Sequence, residues 1–228
     1  MTPKYIDIHA HVNFKAFKED ADAVIERALD NDTWVINVGS QFSTSKRAVE
    51  IANKYKEGVF AIVGLHPIHL EESYHDEEEG GKGFMTRAEE FDKEAYRELL
   101  KDPKVVGIGE CGLDYFHCKL ETVEKQKSTF REQISLAKET AKPLMLHIRN
   151  NPKDSNLNAY GDVLGLNAPP LKTWAPLIFI AWHTSSICSG DSTAQGPAMI
   201  TIFLPPTVTP NPSLISVVSF LASIEASL

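Results

Sequence analysis

Between Tyr5 and Arg149, short apolar runs alternate with stretches of helical periodicity, and no other feature restricts the fold as much. Tyr5 to His9 reads as a buried strand, with Ile6 and Ile8 on one face and Asp7 and His9 on the other. From Phe17 to Leu29, apolar residues recur at three- and four-residue steps (Phe17, Ala21, Val24, Ile25, Ala28, Leu29), as in an amphipathic helix. Trp34 to Gly39 predicts a second strand closed by glycine, and Ser43 can cap a helix reaching Tyr55. Val59 to Val63 and Lys104 to Ile108 predict a third and a fourth strand, with a helix near Lys93 to Leu100 between them. A long helix marked by Val123, Phe130, Ile134 and Ala137 leads to a fifth strand at Pro143 to His147. Repeated βα units of this length require a parallel sheet, either doubly wound or closed as a (β/α)8 barrel.

Charge is distributed unevenly over the 228 residues. Residues 1–154 hold 50 of the 54 charged side chains, leaving Asp162, Lys172, Asp191 and Glu225 for residues 155–228. That second stretch also carries eight of the 13 prolines. A domain normally covers its water-facing surface with charge. The expected organisation is therefore a regular βα portion, 1–154, and a low-charge Pro/Ser/Thr-rich tail, 155–228, that is not an independent domain. A net charge of −8 argues against holding nucleic acid by charge alone, so a bound cation would be needed. The odd, sparse set Cys111, Cys118 and Cys188 fits a reducing cytoplasm better than a disulfide framework. Met1 to Val12 shows no signal-peptide pattern, and no apolar run approaches the roughly 18 residues of a spanning helix. These features predict a cytoplasmic protein without membrane contact or an obligate protein partner.

Potential metal ligands stand at the carboxyl ends of the predicted strands, where barrel enzymes carry their chemistry. The first strand ends in Asp7-Ile8-His9-Ala10-His11, and residues two apart on a strand share a side, so His9 and His11 can chelate one ion. The third ends in Gly64-Leu65-His66-Pro67 and the fourth in Gly107-Ile108-Gly109-Glu110-Cys111-Gly112-Leu113-Asp114, where glycines beside Glu110 permit close backbone approach. The fifth ends in Leu146-His147-Ile148-Arg149. Imidazoles with one carboxylate suit Zn, Mn or Fe, and a carboxylate bridging two ions also suits Mg or Mn. Cys111 lies beside the Glu110 anion and reads as a packed residue. The acidic run from Glu71 to Gly81 reads as a solvated loop.

DIHAH, GLHP, GECGLDY and LHIR, in this order, resemble the TatD family of metal-dependent deoxyribonucleases within the amidohydrolase superfamily. Gln126, Phe130 and Gln133 on the long helix match the family pattern as well. The resemblance covers residue 4 to about residue 150. It implies a (β/α)8 TIM barrel, here with five regular βα units and an incomplete remainder, that hydrolyses phosphodiester bonds at DNA ends as a 3'-5' exonuclease. It also implies that His9 and His11 bind one divalent ion (Mg, Mn or Zn), that Glu110 bridges two, and that His147 binds the second. Two such ions about 3.5–4 Å apart stabilise the attacking and leaving oxygens and let an acidic protein hold a polyanion. His66 is then expected near the substrate phosphate. Arg149 either contacts phosphate or closes a salt bridge at the rim. Asp7 and Asp114 are expected to orient ligands rather than bind an ion.

After residue 154 the expected motifs are missing. The family implies a histidine in an HCF-like motif, then an ETDxPY motif whose aspartate completes the metal site and acts as general base. His183 in AWHTSS stands roughly where that histidine is expected, and Asp191 lies in SGDST with no Glu-Thr before it. The catalytic base is unassigned, and a single remaining ion is one expected consequence. A one-base shift of reading frame near residues 155–175 accounts for both observations, because codons for Trp-His-Thr-Ser-Ser read one base earlier permit Ala-His-Phe-Phe. Three functions compete: a DNA-end nuclease, a related hydrolase of amides or esters, and an inactive fragment.

Overall fold

The computed structural model describes residues 3–72, 88–116 and 120–166, together with strand segments 74–75, 84–85, 178–182 and 201–202. Cys118, His183, Cys188, Asp191 and most of the acidic run after Glu72 lie outside the described residues. Six parallel strands stand side by side in chain order: β1 (Tyr5–Ala10), β2 (Thr33–Val38), β3 (Val59–Val63), β4 (Val105–Asp114), β5 (Leu144–Arg149) and β6 (Ile178–Trp182). Thr201–Ile202 pairs antiparallel to β6. The helices are α1 (Ala21–Asp30), α2 (Phe42–Ala52), α3 (Lys93–Leu99), α4 (Val123–Thr140) and α5 (Ala159–Leu166). A doubly wound sheet reverses its strand order at a switch point. This sheet does not reverse, so the sequential order selects the barrel lineage and makes the described part an arc of a TIM-type barrel.

Apolar side chains line both faces of the sheet, as in parallel sheets covered on both sides. Val35, Val59, Ala61, Val63 and Val105 face the helices and pack with Ile25, Ala48, Phe130 and Ile134. The alternate residues Ile36, Val38, Phe60, Ile62 and Met145 form a second cluster, against which Ile6, Ile8 and Trp34 pack.

Several boundaries differ from the sequence reading. A 3-10 turn at Lys15–Phe17 precedes α1, so Phe17 packs on the core from outside the helix. The N-cap of α2 is Gln41, which forms a capping box with Thr44 in place of a Ser43 cap. The fourth strand does not end at Ile108. It continues to Asp114 because β5 supplies backbone partners as far as the Asp114–Arg149 pair, which outweighs the poor strand propensity of three glycines. Beyond residue 154, α5 belongs to the core, with Ala159 and Val163 buried in the cluster under the helices. Asp162 holds it there, accepting from Tyr115 Oη at 2.8 Å and pairing with Lys127 Nζ at 2.8 Å. Tyr74–His75 pairs antiparallel with Phe84–Met85.

Gly112 has a φ of +141°, and a Cβ built there would lie 2.1 Å from the His147 carbonyl oxygen. Both facts exclude a side chain where β4 meets the strand carrying His147. Gly112→Ala is expected to lower the melting temperature by several degrees, a cost of roughly 1–3 kcal/mol from the unfavourable φ alone. An unchanged melting curve would contradict this packing.

Candidate metal centre

The carboxyl ends of β1, β3, β4 and β5 converge on Glu110. Pairing between β4 and β5 skips from Ile108 to Cys111, and this irregularity turns Glu110 out of the ladder. Its backbone N–H donates to Gly39 O at 2.9 Å, tying β4 to the end of β2. Around the carboxylate, His9 Nε2 lies 3.2 Å and His11 Nε2 4.0 Å from Oε2, while His147 Nδ1 lies 3.2 Å and His66 Nε2 3.9 Å from Oε1. Among the described residues, two groups could hold a metal ion, His9-His11-Glu110 and His66-Glu110-His147, each with its candidate ligand atoms within 4.8 Å of one another.

Hydrogen bonds at the far side of the His11, His147 and His66 rings decide which nitrogen faces the centre. His11 Nδ1 donates to Val38 O at 3.0 Å, which leaves the Nε2 lone pair directed at Glu110. His147 Nε2 contacts Asp114 Oδ2 at 2.7 Å and leaves Nδ1 for the centre. This is the carboxylate–histidine arrangement that orients metal-binding imidazoles. His66 differs: its Nδ1 accepts from Ile68 N–H at 3.1 Å, so the neutral ring carries its proton on Nε2 and offers a donor toward Glu110. The donor set therefore fits divalent ions at His9, His11, Glu110 and His147, and fits a hydrogen-bonding role for His66.

The charge states agree with this division. Burial pushes the Glu110 carboxyl up, but the surrounding imidazoles, His66, His147 and His9, outweigh it and hold it well below the usual range. Asp114 is likewise held down against burial by its hydrogen bond with His147. Burial, reinforced by the neighbouring His147, drives His66 to about 3, so it is neutral at physiological pH. Burial disfavours charge on His147 too, yet its hydrogen bonds to Asp114 and Glu110 prevail and raise it to about 9. A proton on His147 therefore stabilises the metal-free protein fully below the unfolded value of 6.5, and that contribution is lost as pH rises through about 9. An ion must displace this proton, so metal affinity is expected to rise with pH up to about 9, with proton release on binding. Calorimetry in two buffers of different ionisation enthalpy measures that proton count, and a count of zero at pH 7 would contradict the arrangement.

Asp7 accepts from the backbone N–H of His9 at 3.1 Å and so holds the strand end. Arg149 stacks on Phe116, its guanidinium carbon 3.8 Å from the ring centroid, and stands 4.0 Å from Asp114 Oδ2. Cys111 is buried, its thiol pushed up by burial, and its Sγ lies 3.6 Å from Met145 O. The Val38 carbonyl and the glutamines of α4 also shape the centre. A backbone carbonyl leaves no trace in residue type, whereas Gln126 and Gln133, two helical turns apart on a buried face, carried a legible signal.

A family model described as TatD-related DNase matches residues 6–164, which extends past the composition boundary at 154. The chain is 36% identical over 149 residues to YabD of Bacillus subtilis strain 168, described as an uncharacterized metal-dependent hydrolase, covering 65% of this chain and 52% of that protein. It is 31% identical over 145 residues to the 3'-5' ssDNA/RNA exonuclease TatD of Erwinia billingiae, covering 63% of this chain and 49% of that one. The crystal structure of YjjV, a TatD homologue from Escherichia coli K12, superposes with a TM-score of 0.52 at 27% identity, covering 69% of this chain and 54% of that one. The chain thus spans about half the length of the curated relatives it matches. Among the described residues, no helix is long and apolar enough to cross a membrane.

Proposed function

Because the chain belongs to the TatD-related DNase family, we propose that it is a divalent-metal-dependent hydrolase that trims DNA from its 3' ends. The observation that carries this reading is one buried carboxylate, Glu110, shared by two groups of imidazoles. In this reading His9, His11 and Glu110 would hold one ion, and Glu110 and His147 would hold a second. Bound Mg, Mn or Zn would supply Lewis-acid stabilisation of the phosphodiester under attack by water.

The side chains supply the rest. His66 Nε2–H donates to a phosphate oxygen, and burial keeps this ring neutral, so it acts as a donor without adding charge. Arg149, braced on Phe116, offers its guanidinium to a neighbouring phosphate, while Asp114 holds His147 in the ligand tautomer. The chain's overall charge of −8 repels DNA, so substrate is held only where cations reverse the local field. We read α5 and β6 as continuing the barrel rather than opening a second domain. The proposed setting is the reducing cytoplasm, with no protein partner required.

Incubating the chain with 5'-labelled single-stranded DNA and Mg²⁺ or Mn²⁺, alongside amide and ester substrates, tests the proposal. Stepwise shortening that stops on addition of chelator is the expected result. Ester or amide cleavage without DNA shortening would replace the nuclease reading by that of a related hydrolase, and inertness toward all substrates would overturn both.

A further inference from the structure

Helix α4 reaches the centre through two amide groups that bind backbone and touch no ligand. Gln126 Oε1 accepts from Asp114 N–H at 2.8 Å, and Gln126 Nε2 donates to Asp114 O at 2.9 Å. Gln133, two helical turns further on, grips Leu65 in the same way, at 3.0 Å from its N–H and 2.9 Å to its carbonyl. Both glutamines are buried, at 4% and 1% exposure. Each amide stands in for a missing strand. The β3–β4 ladder ends at the Val63–Ile108 pair, while β4 runs on to Asp114, so that edge of β4 has lost its strand neighbour where the site begins. An amide side chain offers the same donor and acceptor as a peptide group and completes the edge.

Each polar atom of Asp114 is engaged by a neighbour. Its Oδ1 accepts from Phe116 N–H at 2.9 Å, its Oδ2 takes His147 Nε2 at 2.7 Å, and its backbone groups are held by Gln126. The direction of the His147 ring therefore depends on where Gln126 holds Asp114. We propose that Gln126 is a positioning residue of the metal centre, fixing through Asp114 the imidazole that His147 presents to an ion. This inference rests on the reading of His147 as a metal ligand. Gln133 makes an equivalent pair of bonds but serves Leu65, beside His66, whose neutral ring presents an N–H to the site. It is thus a matched comparison: loss of either amide leaves two buried backbone groups unpaired.

The experiment measures Zn²⁺ affinity by chelator competition and the melting temperature of the metal-free protein. It compares the parent chain with Gln126→Met, Gln126→Glu, Gln133→Met and His147→Ala. His147→Ala identifies the zinc-binding step that uses that ring. Gln126→Met should weaken that step by roughly 10- to 100-fold, the usual effect of losing a group that orients a ligand. Gln133→Met should lower the melting temperature similarly and leave zinc affinity near that of the parent. Gln126→Glu, which can accept from Asp114 N–H but cannot donate to its carbonyl, should fall between, and it decides the matter if Gln126→Met does not fold. Equal losses of affinity in the Gln126 and Gln133 variants, or parent-like affinity in both Gln126 variants, would overturn the inference alone. A parent chain that binds no zinc would overturn the metal reading along with it.

Discussion

Glu110→Ala is expected to cut metal-dependent DNA trimming by roughly a thousand-fold or more, because a bridging carboxylate organises several kcal/mol of charge stabilisation and each 1.36 kcal/mol is tenfold in rate. The size of the effect follows from position. Glu110 is the residue common to both candidate groups, with one oxygen facing His9 and His11 and the other facing His147 and His66. Replacing any single histidine leaves one group intact, whereas replacing Glu110 removes the anion from both. Glu110→Gln keeps the shape and loses the charge, so it should be nearly as damaging, which would attribute the effect to charge rather than to a cavity. Rates are compared at saturating Mn²⁺ with the far-UV spectrum as a check on folding. A Glu110→Ala protein retaining a tenth of parental activity would remove Glu110 from the centre of the proposal.

The second large effect concerns the parent chain itself. Trimming by the 228-residue protein is expected to be roughly 10²–10⁴-fold slower than by a longer exonuclease of the family, the usual contribution of a general base. The family resemblance implies an aspartate in an ETDxPY motif for that role, and no Glu-Thr-Asp run occurs in this chain. Equal rates would mean that another carboxylate serves, and Asp191→Asn would be the first variant to examine. Sequencing the gene addresses the cause. If the composition break marks a shifted frame, the alternative frame encodes the missing motif, and a chain translated through it should recover the lost rate. An alternative frame without ETD codons would leave the shift without support.

The βα alternation was legible because its physics is local. Parallel strands covered on both faces must be apolar runs, and helices packed on one face must be periodic, so both patterns are written in neighbouring residues. Val59–Val63 forms the third strand with the bounds that its composition predicts. The candidate site residues were legible for a related reason, since His9, His11, His66, Glu110 and His147 each follow an apolar run, and strand ends are where a barrel places its chemistry. Asp162, by contrast, looked like one of four stray charges in a tail, and only its contacts with Tyr115 and Lys127 identify it as the anchor of α5.

Residue pattern was enough for the order of strands and helices and for the family of the chain, and it nominated the residues proposed to hold a metal. Which nitrogen of His11, His147 and His66 faces Glu110 came from the tertiary structure, because it depends on the Val38 carbonyl, the Asp114 carboxylate and the Ile68 N–H. The tertiary structure also decided that Glu110 leaves the ladder at a break in the β4–β5 pairing and that Gln126 closes the strand edge beneath Asp114. The physical reason is range. Propensity and periodicity act over a few residues, whereas a tautomer is set by a hydrogen bond to whatever backbone the fold brings alongside, as with His11 and Val38, 27 positions apart in the chain.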